Sequence, residues 1–250
     1  MDSGLYSAYT ALRTRTEALD LAANNLANTS TAGFHAGRAS FQGVLAEASD
    51  AMGSQVGTAV NSQTLLMGHH VSEVQGVIAP TGNPLDVAIK GTGYFTVKTA
   101  QGTRYTRDGQ FQIDGKGVLT TKQGDAVLNA QGSVITVPSG DVRIAADGAV
   151  SVATQDGSAV VGQIGVMDLG SGGAVEAESA GMYRAADGVT PKVAVDTTLQ
   201  QGAVEGANQN AVQGTVQLLT IQRQAEMMQR SLSVFYNDFD KTASEELARV

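Results

Sequence analysis

The sequence predicts an α+β protein in which N- and C-terminal helices pair as a coiled coil, with a central all-β domain inserted between them. Two apolar repeats of seven, one near each end, predict the helices. Short β-prone runs punctuated by Asp-Gly pairs predict the middle. Glycine takes 30 of the 250 positions, well above the roughly 7% of an average chain, and only 4 residues are proline.

The first element occupies residues 1–33. Leu5, Leu12, Leu19 and Leu26 recur at intervals of seven, with Ala8, Tyr9, Ala22 and Ala23 filling offsets of three or four. No glycine or proline interrupts this run after Gly4, so about 25 residues form one helix roughly 37 Å long. Asp2 or Ser3 would cap its start, and Gly33 lies just past its end. Residues 34–84 are polar, dotted with glycine and weakly periodic, with Phe41, Val44 and Leu45 as a short apolar cluster. They read as an extended connector whose packing surface comes from neighbouring molecules.

Residues 85–190 read as the β-domain. Leu85–Ile89, Tyr94–Val97, Val134–Val137 and Val142–Ile144 are strand-like in composition and period. Asp108-Gly109, Asp114-Gly115, Asp147-Gly148, Asp156-Gly157 and Asp187-Gly188 are predicted to turn at positive φ. Residues 191–207 form the return connector. The last element, 208–250, is a helix capped by Asn208 or Asn210, in which Leu218, Ile221, Ala225, Met228, Leu232, Phe235 and Phe239 step by three and four. The Met227-Met228 pair and the aromatic residues Phe235, Tyr236 and Phe239 read as part of this packing face rather than as a ligand site.

Composition narrows the function. A formal charge of −8 opposes a phosphate-binding surface, so nucleic acid is not an expected partner. With no cysteine there are no disulfides, thiolate metal sites or cysteine nucleophiles. No run of about 18 apolar residues predicts a membrane-spanning helix. The opening Met-Asp-Ser-Gly-Leu-Tyr has neither a basic nor an apolar signal region, so no cleaved secretory signal is expected.

No motif carries catalysis, and no catalytic, cofactor-binding or metal-binding residue is predicted. Gly91-Thr92-Gly93 begins like a dinucleotide fingerprint, but the third glycine is missing and a strand follows where a helix is required. Neither a phosphate-binding Gly-Lys-Ser/Thr loop nor a Gly-x-Ser-x-Gly elbow occurs. His69, His70 and Glu73 lack the spacing of a helical zinc motif, and His35 stands far from them in sequence. These residues read as exposed connector. Many of the carboxylates belong to turns, and none is singled out as half of a glycosidase pair.

Four segments, in order, resemble the bacterial flagellar rod and hook protein family. The run from Ala23 to Phe34, with Asn24, Asn25, Asn28, Gly33 and Phe34, is similar to the family's N-terminal signature. Asn83 to Phe95, with Leu85, Asp86, Gly91 and Gly93, is similar to its entry into the β-domain, and Tyr105–Phe111 to the element that follows. Glu205–Val212, with Asn208 and Asn210, is similar to the motif opening the last helix. The Arg223–Met228 segment and the length look most like the proximal-rod branch, with the distal-rod branch as the alternative. His35 departs from the Arg or Lys that usually follows the Gly-Phe pair; Ala207 replaces a serine and Ala225 a bulkier residue.

The resemblance implies a structural, non-enzymatic subunit that needs no cofactor. Its partners would be copies of itself, other rod subunits and the flagellar type III export apparatus. It would lie in the basal-body rod within the periplasmic space, transmitting torque from motor to hook. A secreted β-rich binding module and a cell-wall enzyme on the β-domain are the other classes the residues leave open.

Overall fold

The computed structural model describes residues 2–45, 62–154, 157–170, 174–179 and 181–247; at 2–8, 40–45, 62–69, 154 and 235–247 only the element is described, without side chains. Two long helices flank a β-rich middle, as the α+β class requires. Helix α1 spans Asp2–Ala27 and helix α2 spans Ala211–Leu247. The described chain divides into two compact units. One takes residues 1–26, 39–68 and 211–250, and the other residues 27–38 and 69–210.

In α1, Leu12, Leu19 and Leu26 are half-buried, and so are Leu218, Ile221, Ala225, Met228 and Leu232 in α2. The side chains of Leu5, Phe235 and Phe239 lie outside the described residues. Helix α2 also carries an outward apolar stripe, Val212, Val216, Leu219, Met227 and Val234, that the repeat of seven does not include. Helix α1 ends before Asn28, whose carbonyl accepts the Thr31 N–H at 3.0 Å in a turn. Asp2 lies within the helix rather than ahead of it. Asn210 stands directly before α2, while the side chain of Asn208 is engaged elsewhere.

The second unit is built from short antiparallel ladders. Strand Tyr94–Thr99 is central: it pairs with Gly102–Thr106, Ala126–Val127 and Val166–Asp168. Its residues alternate between two apolar clusters. Phe95 and Val97 enter the larger, with Val87, Ile89, Leu119, Val127, Val150 and Leu199, and Tyr94 enters the smaller, with Tyr105, Leu169 and Tyr183. Both faces are therefore covered, and period-two alternation places apolar residues on each. Phe95 and Phe111 meet edge-on with ring centroids 5.0 Å apart.

Several sequence expectations need amendment. The stretch 34–84, read as a connector, contains two long strands, Gly37–Leu45 and Ser62–Val71, that pair with each other. Residues 191–207 are part of the β unit rather than a return connector. Thr198–Gln201 pairs with Val87–Lys90 and puts Leu199 into the core, while Ala203–Glu205 pairs with Ile78–Pro80. Val134–Val137 forms isolated bridges in place of a strand, because Ile135 N–H bonds to Val127 and Val137 N–H to Gly117, two different neighbours. Ile135 and Val137 are nonetheless buried core residues.

The Asp-Gly pairs also divide. Gly148, Gly157 and Gly188 have positive φ, whereas Gly109 and Gly115 do not. At 114–117 the Asp114 carboxylate accepts the N–H groups of Lys116 and Val118, and the left-handed position falls on Gly117 instead. Asp156 lies outside the described residues.

Candidate functional site

The strongest concentration of buried polar chemistry lies where the β unit's first and last segments meet. After α1 the chain turns at Gly33, whose φ of 65° is left-handed, and runs through Phe34, His35 and Ala36, all buried. At the other end, strand Ala203–Glu205 delivers Glu205 and the next residues deliver Asn208. Backbone bonds tie the two. Gly33 N–H donates to the Glu205 carbonyl at 2.7 Å and Asn208 N–H to the Phe34 carbonyl at 3.1 Å. The Asn208 side chain accepts the Ala36 N–H at 2.7 Å and donates to the Val74 carbonyl at 2.7 Å.

At the centre sits the Glu205 carboxylate, with 0% of its side chain exposed. Its Oε1 accepts from His35 Nε2 at 2.8 Å and from the Gly76 N–H at 2.8 Å. Its Oε2 accepts from Arg107 at 3.0 Å. Arg107 also donates to the Gly91 carbonyl at 2.8 Å and lies 5.3 Å from the Tyr94 ring centroid, a cation–π distance. Tyr183 accepts the His35 backbone N–H at 2.8 Å, and its ring stacks obliquely on Tyr94 at 5.2 Å.

The electrostatics follow from these contacts. Burial pushes the Glu205 carboxyl upward, but the His35 hydrogen bond, the Arg107 charge and the Gly76 N–H together hold it below the usual carboxylate range. Burial raises the Tyr94 phenol to about 12, against the pull of Arg107. Tyr183 is likewise raised by burial. Both phenols stay neutral and act as hydrogen-bonding and packing groups.

Buried titratable groups with perturbed ionisation often mark catalysis. Here the side chains of His35, Glu205 and Arg107 are 1%, 0% and 5% exposed, so a substrate has no route to them. The arrangement fastens chain segments together. Among the described residues no three His, Asp or Glu side chains gather as a metal site would need. His70 and Glu73 border a surface depression, and the His69 side chain lies outside the described residues. No described helix is long and apolar enough to cross a membrane.

The sequence-singled residues fall at three places. Gly33, Phe34 and Asn208 meet at the junction just described, with Asn210 beyond it. Asp86, only 6% exposed, accepts from the Thr81 hydroxyl at 2.6 Å and the Asn83 amide at 2.9 Å, holding the turn before strand Val87–Lys90. Leu85 packs on the large cluster, and Gly91 and Gly93 have φ of 109° and 100° before the central strand. Asn24, Asn25 and Asn28 lie at the end of α1, with Asn25 buried. Sequence reasoning missed His35, Arg107 and Glu205 as a set. They are separated by 98 and 170 residues, and no spacing rule joins them.

Two family models match the chain. The one described as "Flagella basal body rod protein" matches residues 5–35, and the one described as "Flagellar hook protein FlgE/F/G D1 domain" matches residues 88–152. Over these two segments the chain is similar to the flagellar rod and hook protein family. Among rod and hook relatives, the flagellar basal-body rod protein FlgG of Bacillus subtilis is 36% identical over 136 residues, covering 50% of each chain. The basal-body rod protein FlgF of Mesorhizobium japonicum is 35% identical over 130 residues, covering 52% of this chain and 51% of its own. The flagellar hook protein FlgE of Treponema pallidum is 32% identical over 127 residues, covering 48% of this chain and 27% of its own. The chain thus spans about half the length of the rod relatives it matches. The match at 5–35 runs along α1 and reaches His35, so the family's rod signature ends inside the buried junction.

Proposed function

We propose that this protein is a structural axial subunit of the bacterial flagellar basal-body rod, assembling with its own copies and with other rod subunits. The carrying observation is the convergence of the two terminal motifs: residues 33–36 and 205–208 are hydrogen-bonded into one junction. The family matches at 5–35 and 88–152 support the same reading. The position is the proximal rod, on the Arg223–Met228 segment and the FlgF likeness; the distal rod is the second reading, favoured by the FlgG match.

In this reading the helices pair as a coiled coil through Leu5, Leu12, Leu19 and Leu26 on α1 and Leu218, Ile221, Ala225, Met228, Leu232, Phe235 and Phe239 on α2. The contacts between subunits are heterologous and do not close, so they propagate a helical shaft that carries torque from motor to hook. Export runs through the flagellar type III apparatus, delivering the subunit to the rod in the periplasmic space. No enzymatic step or cofactor is involved.

In-frame deletion with complementation tests the proposal. The expected result is loss of motility with an incomplete rod, and the point at which assembly stops distinguishes the proximal from the distal position. A complete basal body with normal swimming would overturn it. A finer test addresses the seam. Ile221→Asp or Leu19→Asp places a carboxylate in an apolar contact, a penalty of several kcal/mol. Each is expected to abolish rod assembly while the β unit keeps its near-native circular dichroism. Normal motility in either variant would refute the seam.

A further inference from the structure

Among the described residues, both hydrogen-bond partners of the His35 ring nitrogens are oxygens. Nδ1 lies 2.8 Å from the Ser72 carbonyl oxygen and Nε2 lies 2.8 Å from Glu205 Oε1. A peptide carbonyl only accepts, and so does an ionised carboxylate. A neutral imidazole has one N–H and one lone pair, so against two such acceptors its lone pair would face an oxygen lone pair.

Two proton arrangements satisfy both contacts. In one, His35 is an imidazolium beside an ionised Glu205. In the other, a neutral His35 donates from Nδ1 to Ser72 while a protonated Glu205 donates to Nε2. The remaining partners of Glu205 decide between them. The Gly76 N–H already donates to Oε1, and the Arg107 guanidinium donates to Oε2. Both oxygens are therefore held by donors, an environment that favours the ionised carboxylate.

We propose that His35 is a buried imidazolium, and that with Arg107 it forms a two-cation lock on Glu205 that fastens the first segment of the β unit to its last. The other groups facing the ring agree with this charge. Tyr94 presents its ring 6.3 Å away, and Tyr183 uses its hydroxyl on the His35 backbone rather than on the imidazole. The lock draws on residues 35, 72, 76, 107 and 205, so it closes only when the chain through Glu205 is in place. It follows from hydrogen-bond geometry alone and does not depend on the rod reading.

The test is direct. The chain has three histidines, so replacing His69→Gln and His70→Gln leaves His35 as the single imidazole. Proton–nitrogen correlation spectra of that full-length chain are recorded in mildly alkaline buffer, where an exposed histidine is neutral. Both ring nitrogens are expected in the protonated range. One nitrogen in the unprotonated range would overturn the proposal. A second measurement uses variants of the intact chain. His35→Gln removes the cation and is expected to lower Tm by about 10 °C, whereas His35→Lys keeps a cation and most of that Tm. Equal losses in the two variants would refute the requirement for a cation.

Discussion

Glu205→Ala is expected to destabilise the β unit by about 4 kcal/mol, because removing one partner of a buried ion network strands the others. Arg107, with 5% of its side chain exposed, loses the Glu205 carboxylate, and His35 Nε2 is left facing a void. The backbone link from Gly33 N–H to the Glu205 carbonyl survives the substitution, so the loss reports the side chain. Urea unfolding followed by tyrosine fluorescence would measure it. A change below about 1 kcal/mol would mean that the network contributes little beyond packing.

The same carboxylate sets an acid limit. The folded state holds Glu205 below its ordinary range despite burial, so the unfolded chain binds its proton more readily. Its contribution is present above the unfolded value of about 4.3 and fades as pH falls through the lower folded value. The stability difference between wild type and Glu205→Gln is therefore expected to shrink on acidification below about pH 4, as the carboxylate takes up its proton. A difference that grew on acidification below about pH 4 would contradict the assigned direction.

Gly109→Ala is expected to cost at least about 3 kcal/mol and to deplete soluble folded protein. A methyl group there would lie 1.7 Å from the Val87 carbonyl oxygen and 3.0 Å from the Phe95 ring. Neither neighbour can give way easily: Val87 N–H bonds to the Gly109 carbonyl at 2.9 Å, and both side chains are fully buried. Gly115→Ala is the internal control. It sits in the same dipeptide, without positive φ, and a methyl group there meets nothing within 4 Å. It should be neutral or stabilising by up to about 1 kcal/mol. Comparable Tm losses in the two variants would refute the close-approach argument.

That pair of glycines shows where sequence reading stops. Asp108-Gly109 and Asp114-Gly115 are the same two letters, and both are predicted as positive-φ turns. In the first, glycine permits two backbones to touch; in the second, the Asp114 side chain organises the turn and Gly117 takes the left-handed angle. Strand Tyr94–Thr99 was legible because its period of two survives burial on both faces. Val134–Val137 misled because its composition is that of a strand while its hydrogen bonds go to two different neighbours. Local pattern carries propensity, and partner choice is not local.

The sequence by itself determined the two long helices and the β-rich middle, and it singled out Gly33, Phe34 and Asn208, which the structure brings together. Each rests on neighbours within a few turns or strands, where side-chain spacing and backbone preference act directly. Only the tertiary structure made residues 191–205 part of the β unit, and only it joined His35, Arg107 and Glu205. Those three charges are buried together because each supplies what desolvation would otherwise take from the others, an energy that exists only once distant segments have met.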